Sequence, residues 1–514
     1  MKLLLPRPRS SGVTRGTSNG HVVGLLCVLG CLGVLTSASR AHASEFTEDL
    51  AGRRARVMER LGPDAMLILW SAPAQRYSLD IDYEYRQESN LYYLTGIPQE
   101  GTILVLMPGN TSHREILFVK DSDPVQEHWR GHALSPDEAR ARSGIDTVLI
   151  VSRFEPFVDA MFGRQGNGPV AASDAARFFD ALSAHRAQLA IVTETGRGTA
   201  DAPAPPVRFA GRMRERFGGF ETTNPTAIFD DLRTVKTPYE RQVLVKSLEI
   251  SNDAQIAGMR AARPGAYEYE VKAAIEAVHR GRGAVSWSYP SIVGSGPNAT
   301  ILHYPEGDRQ MRAGELLLVD AACNYGYMSG DITRTYPVNG TFSPAQKDIY
   351  RIVLQAQEQA IVAAAKPAAT LQDVHARTVD VIKTGLLQLG LITDPRGEQY
   401  KLWYTHGASH YIGIDVHDVG SRTRALQPGM AFTIEPGIYI RQSALDALPR
   451  TPENLAFIEK VQPALRKYAD IGVRIEDSFL VEETGLRNLS AAVPKTIEAV
   501  EALLARSAGS KGKQ

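Results

Sequence analysis

The chain has 514 residues, more than one ordinary domain holds, so two or three folded units are expected. Hydrophobic residues make up 43% and charged residues 22%, an ordinary globular balance, and 57 Lys+Arg against 57 Asp+Glu leave no net charge. With no net field to draw in nucleic acid or an anionic membrane, neither is expected as a partner.

At the start of the chain Lys2, Arg7, Arg9 and Arg15 precede an apolar run at residues 22–35, and Ala41-His42-Ala43 follows. This order reads as a secretory signal peptide over residues 1–43, cut after Ala43, so the protein is expected to be exported, to a periplasm or beyond the cell. Val28-Leu29-Gly30-Cys31 loosely matches a lipoprotein cleavage site, but the apolar run continues past it to Leu35 and favours the unlipidated form. The run is too short to span a bilayer and no later segment is long and apolar enough, so the mature protein is expected to have no transmembrane segment. Cys27 and Cys31 lie inside the signal, which leaves Cys323 and no intrachain disulfide.

Residues 65–70, 102–107, 115–119 and 147–151 are short apolar runs of strand length. Residues 136–143 and 174–187 read as helices, and 200–206, rich in Pro and Ala, as a loop. Together they predict an α/β N-terminal domain over 44–226, with no cluster of His, Cys and carboxylates and hence no chemistry of its own. Residues 225–238 form the predicted junction. Helices follow at 239–262, closed by Arg263-Pro264-Gly265, and at 267–280, and strand-like segments run to 338. The order then repeats: helices from 344 to about 366 and at 371–389, strands at 412–416, 431–440 and 473–481. Two related halves of one α+β domain over 227–505 are expected, with a flexible tail at 506–514.

The apolar strand ELLLVD ends in Asp320, and after a turn at Asn324-Tyr325-Gly326-Tyr327 the chain returns through Asp331. A hairpin centred between Tyr325 and Gly326 would set Asp320 directly opposite Asp331, where like charges repel unless a cation bridges them. His410 in HGASH, Glu435 in TIEPG and Glu476 in VRIED add one imidazole and two carboxylates, and strand alternation puts Arg474 on the face of Glu476. Singly, such residues are usually surface or core groups. Together, four carboxylates and one imidazole suit a pair of hard divalent ions such as Mn²⁺, and no cysteine set argues for structural zinc.

NATILHY (298–304), LLLVDAACNYGYMSGDITRTYP (316–337), HGASHYIGIDVHDVG (406–420), TIEPGIY (433–439) and GVRIEDSFLV (472–481) resemble, in order and spacing, the motif series of the Xaa-Pro aminopeptidases, or aminopeptidase P. YRQESNLYYLTGIPQEG (85–101) resembles the N-terminal domain of that family and of its relative prolidase. The resemblance covers residues 50–490. It implies a pita-bread catalytic domain of two pseudo-symmetric halves and two divalent ions. Asp320 would bind one ion, His410 and Glu435 the other, and Asp331 and Glu476 both. His303, His406 and His417 match three active-site histidines that are not ligands. Two features depart from the pattern: Ala322 stands where a glycine is common, and 441–471 is longer than in many members.

The implied reaction is hydrolysis of the N-terminal Xaa-Pro bond of peptides by a hydroxide held between the ions. Glu435 would shuttle the proton, His417 stabilise the oxyanion, His303 sit by the scissile bond, and His406 and Arg474 meet the substrate. A histidine that merely packs the metal loop is an equal reading of His406. A homo-oligomer is expected. The rival readings are an Xaa-Pro dipeptidase of prolidase type and a non-catalytic pita-bread binding protein; five competent ligand positions argue against the latter.

Overall fold

A computed structural model describes residues 45–193 and 205–510. The expected signal peptide with its two cysteines, residues 200–204 of the expected loop, and 511–514 lie outside the described residues.

The segment Ala65–Trp70 (β1) is AMLILW, a run with no polar side, and it lies inside a sheet covered on both faces. With Ile103–Leu106 (β2), Glu115–Val119 (β3), Thr147–Ile150 (β4), Ala187–Ile191 (β5) and Phe220–Thr223 (β6) it forms a six-stranded mixed sheet in the order β4-β3-β2-β1-β5-β6. Side-chain alternation sends Met66 and Ile68 into one core and Leu67 and Leu69 into another, so the sheet is the middle of a layered α/β unit. The helix expected at 174–187 is shorter, Ala176–Ser183, because 187–191 pairs with β1 as a buried strand. The expected junction holds a helix, Thr226–Thr234, and Pro206 lies in the helix Pro205–Arg216.

Thr237 and Glu240 form a capping box around Pro238, which starts the long helix Pro238–Ala261 (α1); Glu268–Gly281 (α2) packs on it. Ile292–Ser295 (β7), Leu316–Asp320 (β8) and, after the short hairpin strands Cys323–Tyr325 (β9) and Met328–Ser329 (β10), Thr333–Pro337 (β11) form the antiparallel sheet β7-β8-β11. A second round opens on the same signal. Ser343 with Gln346 caps Pro344–Ala364 (α3), and Thr370 with Asp373 caps Leu371–Gln388 (α4). Ala431–Ile434 (β12), Gly437–Tyr439 (β13), Gly472–Arg474 (β14), Asp477–Glu482 (β15) and Gly485–Asn488 (β16) complete it, paired as β12-β15-β16 and β13-β14. Helix pair and antiparallel strands, twice over, are the two halves of a pita-bread fold.

The hairpin register differs from expectation. Gly326 and Tyr327 both have positive φ, 57° and 67°, a two-residue turn between Tyr325 and Met328. The turn centre lies one residue further along, so Asp320 pairs with Thr333 and not with Asp331. A shift of the centre by a whole residue preserves parity, so Asp331 stays on the face of Asp320 as a diagonal neighbour. Tyr327 is held in the left-handed region by stacking on Tyr92, centroids 3.5 Å apart, and by a hydrogen bond from the Gln87 N–H.

Three further expectations are corrected. Residues 412–416 are not a strand, because the Gly413 N–H donates to Asp415 O and the Asp418 N–H to Tyr411 O, curling the segment into a loop. The strands expected at 431–440 and 473–481 each break in two, at Glu435-Pro436 and at Ile475-Glu476. The last helix, Ile497–Ser510, extends into the expected tail, and the long stretch after Arg441 carries the helices Gln442–Asp446 and Pro452–Tyr468.

Candidate metal centre

The strand breaks are where the chemistry sits. Asp320 is the last residue of β8, Asp331 precedes β11, and Glu435 and Glu476 occupy the two breaks of the second half. Strand ends free side chains from the ladder while the ladder fixes their backbone. His410 is carried on a segment that runs beside β12, held by Thr433 N–H to His410 O at 2.9 Å and Glu435 N–H to Ala408 O at 2.9 Å.

One nitrogen, two acid oxygens and three chain segments converge: ligand atoms of Asp331, His410 and Glu476 lie within 4.8 Å of one another. His410 Nε2 is 3.4 Å from Asp331 Oδ2 and 3.3 Å from Glu435 Oε1. Its Nδ1 is 3.0 Å from the carbonyl of Tyr411, which can only accept, so the proton sits on Nδ1 and the Nε2 lone pair faces the carboxylates. A lone pair against two anions is repulsive unless a proton or a metal ion lies between them. Tyr289 poses the same demand. Its hydroxyl is within hydrogen-bond reach of Asp320 Oδ1 and is 2.6 Å from Asp331 Oδ1, and one phenol proton cannot serve two carboxylates. The donor set therefore fits divalent cations.

The titration of the group agrees. Burial, then the neighbouring carboxylates, push Glu476 well above its ordinary range, and burial pushes Glu435 up to about 7 despite His410. Asp320 is raised by burial against the pull of Arg474. His410 rises to about 9: burial disfavours its charge, but Asp331 and Glu435 outweigh burial.

Arg474, expected to meet substrate, is buried and engaged elsewhere. Its guanidinium donates to Asp320 Oδ2 (2.6 Å), Tyr439 Oη (2.9 Å) and Thr333 Oγ1 (3.1 Å), so its contacts are with the cage. Thr333 in turn donates to Glu476 Oε2 at 2.7 Å. His406 ends the same chain. Its Nδ1 donates to Gly407 O at 2.8 Å and its Nε2 accepts from Tyr439 Oη at 2.8 Å, which leaves no free ring nitrogen. Burial first, and then Arg474, push its pKa down to about 3, so the ring is neutral.

His417 lies edge-on to His410, ring centroids 4.4 Å apart, and its pKa is lowered by burial and by that ring. His303 is exposed on the turn after the 3₁₀ segment Gly296–Thr300, close enough to His417 to disfavour its charge. The His417 loop is tied down from outside. Arg233 bridges Asp415 (2.7 Å) and Asp418 (2.6 Å), Arg86 donates to Ile414 O (2.7 Å), and Ser89 donates to Asp415 (2.8 Å). Arg86 and Ser89 belong to the YRQESN motif, so the N-terminal segment supports the site without supplying chemistry.

Tyr289 went unread in the sequence, and Thr333 and Tyr439 were seen only as parts of motifs. A tyrosine in SWSYP carries no pattern that separates it from a core residue; only its place beneath two acids does.

The sequence profile of metallopeptidase family M24 matches residues 242–483, and that of the aminopeptidase P N-terminal domain residues 50–169. The chain is 33% identical to the Xaa-Pro aminopeptidase of Escherichia coli (strain K12), over 89% of this chain and 97% of that one. It is 29% identical to human Xaa-Pro aminopeptidase 3, over 87% of this chain and 82% of the relative. Among solved structures, aminopeptidase P from E. coli with the inhibitor Pro-Leu superimposes with a TM-score of 0.74 at 31% identity, covering 90% of this chain and 99% of that chain. Pseudomonas aeruginosa aminopeptidase PepP gives 0.74 at 32% identity, with 90% and 99% covered.

Proposed function

The chain belongs to metallopeptidase family M24, beside the Xaa-Pro aminopeptidases, and from that premise we propose that it removes the first residue of peptides whose second residue is proline. It is a metallo-aminopeptidase. What carries the reading is the convergence of Asp331, His410 and Glu476 within 4.8 Å inside this fold.

In this proposal Asp320, Asp331, His410, Glu435 and Glu476 would hold two divalent ions, and an oxygen-rich set with one imidazole favours Mn²⁺. When bound, the ions supply Lewis acidity and lower the pKa of water. The chain's own residues do the rest. Glu435, at the edge of the cluster between His406 and His410, takes a proton from the attacking water and gives it to the departing proline nitrogen. His417 donates to the oxyanion that forms at the scissile carbonyl, and His303 lies alongside. Arg474, itself bonded to Tyr439, and Tyr289 fix the Asp320 side chain, and His406, with both nitrogens engaged, offers its ring and not a proton. Because proline makes a tertiary amide, a cleft shaped to its ring sets the second position.

Matched peptides test this. With Mn²⁺ present, Xaa-Pro-Xaa should release its first residue, Xaa-Ala-Xaa should be poor, and an Xaa-Pro dipeptide should be slower than the tripeptide. Preference for the dipeptide would establish the prolidase reading instead.

We also propose that the protein is exported and begins at Ser44, which the basic-apolar-AHA order at the N-terminus supports; sequencing the mature N-terminus tests it, and a lipidated start at Cys31 would overturn it. A homo-oligomer is proposed as well, and light scattering on purified protein checks it.

A further inference from the structure

Two glutamines, one per half, stand in matching relation to the acids of the site. Gln255, on α1 and fully buried, donates through Nε2 to the carbonyls of Ala321 (3.1 Å) and Ile332 (3.0 Å). These are the residues directly after Asp320 and Asp331. Gln357, on α3 and also fully buried, donates through Nε2 to the carbonyls of Ile434 (3.2 Å) and Ile475 (3.2 Å), directly before Glu435 and Glu476. Each carboxamide thus spans the two segments that carry its half's pair of carboxylates.

The place matters because regular pairing stops there. β8 ends at Asp320 and β11 begins at Thr333, with one long bond of 3.3 Å from the Ala321 N–H to Ile332 O between them. β12 ends at Ile434 and β15 begins at Asp477. Where the ladder no longer fixes the spacing of two strands, the two N–H groups of one planar amide do. The carboxylates they flank repel one another, so their separation needs an external brace. The halves differ in one respect: Gln357 Oε1 accepts from Lys495 (2.8 Å), while Gln255 Oε1 has no partner among the described residues.

We infer that Gln255 and Gln357 are positioning residues that set the spacing of the Asp320–Asp331 and Glu435–Glu476 pairs for metal binding. The inference rests on the metal-centre reading above. Gln255→Met and Gln357→Met keep the length of the side chain and delete both donors. Chelator-treated protein is titrated with Mn²⁺ by calorimetry, its visible spectrum is taken with Co²⁺, and kcat and KM are measured after reconstitution. The expected result in each variant is a loss of Mn²⁺ affinity of about tenfold or more, displaced Co²⁺ bands, and lower kcat at unchanged KM. Wild-type Mn²⁺ affinity and Co²⁺ spectrum in both variants, with or without a drop in melting temperature, would overturn the inference. Should the Met variants not fold, Gln255→Glu, which keeps size and sets an acceptor against the two carbonyls, is read by the same two metal measurements and the same criteria. A wild-type protein that takes up no Mn²⁺ would refute the metal centre itself, so the two failures are distinct.

Discussion

Replacing Asp331 by Asn preserves the shape of a buried side chain and removes one charge from the middle of the acid group. Without bound metal, Asp331 is one of the charges that push up Asp320, Glu435 and Glu476. Its ligand oxygen lies within 4.8 Å of that of Glu476. Two charges at such a distance, at an effective dielectric constant of about 20, repel by about 3 kcal/mol. The attraction of Asp331 to His410, at 3.4 Å, is worth about 5 kcal/mol on the same scale and outweighs it, the more so because the raised Glu476 holds a proton. Metal-free Asp331→Asn should therefore be less stable than metal-free wild type by about 1–2 kcal/mol, about 1–4 °C in melting temperature. Added Mn²⁺ widens the gap. Wild type gains about 2.7 kcal/mol at a hundredfold excess over the dissociation constant, and the variant gains little. Melting with and without Mn²⁺, metal content and kcat on one preparation give the comparison. A metal-free variant that melts above metal-free wild type, or an equal rise of both with Mn²⁺, would refute this.

His417→Ala should keep its metal content and KM and lose about 10²–10³-fold in kcat, as expected of a group that stabilises charge only in the transition state; normal kcat, or lost metal, would remove that role. Tyr289→Phe should weaken Mn²⁺ binding or activity by about 10–100-fold with the fold intact, checked by titration and circular dichroism. Metal binding should release protons, because Glu435 (about 7), Glu476 and His410 (about 9) hold them in the metal-free protein; affinity should rise with pH through 7 towards 9, and calorimetry in buffers of different ionisation enthalpy measures the release. The same raised values mean that folded protein without metal binds protons more tightly than unfolded chain, so its stability should fall as pH climbs from the ordinary carboxylate range through 7, read by melting across that range.

The sequence was most legible where one physical rule acted alone. AMLILW and EILFV have no polar face and could only be buried strands. The helices expected from 344 and from 371 start at those residues. Asp320 and Glu435 stood out because a carboxylate at the end of an apolar strand is unusual. Legibility failed where two rules competed. Ile412–Val416 alternates like a strand, but Gly413 lets the chain turn back on Asp415. The hairpin turn could have centred on Tyr325-Gly326 or Gly326-Tyr327, and contact with Tyr92, more than two hundred residues away in sequence, accompanies the second. Gln255 and Gln357 left no trace, because a glutamine on a buried helix face reads as an interruption until the carbonyls it meets are known.

In the proposed site five side chains would hold two ions for cleavage of an N-terminal Xaa-Pro bond. Chelator-treated protein titrated with Mn²⁺, with first-residue release from one Xaa-Pro-Xaa peptide followed at each addition, tests it most directly. Activity should be absent at the start, rise with added ion and level off at two equivalents per chain. Full activity before any ion is added, or a plateau with no release of the first residue, would contradict it.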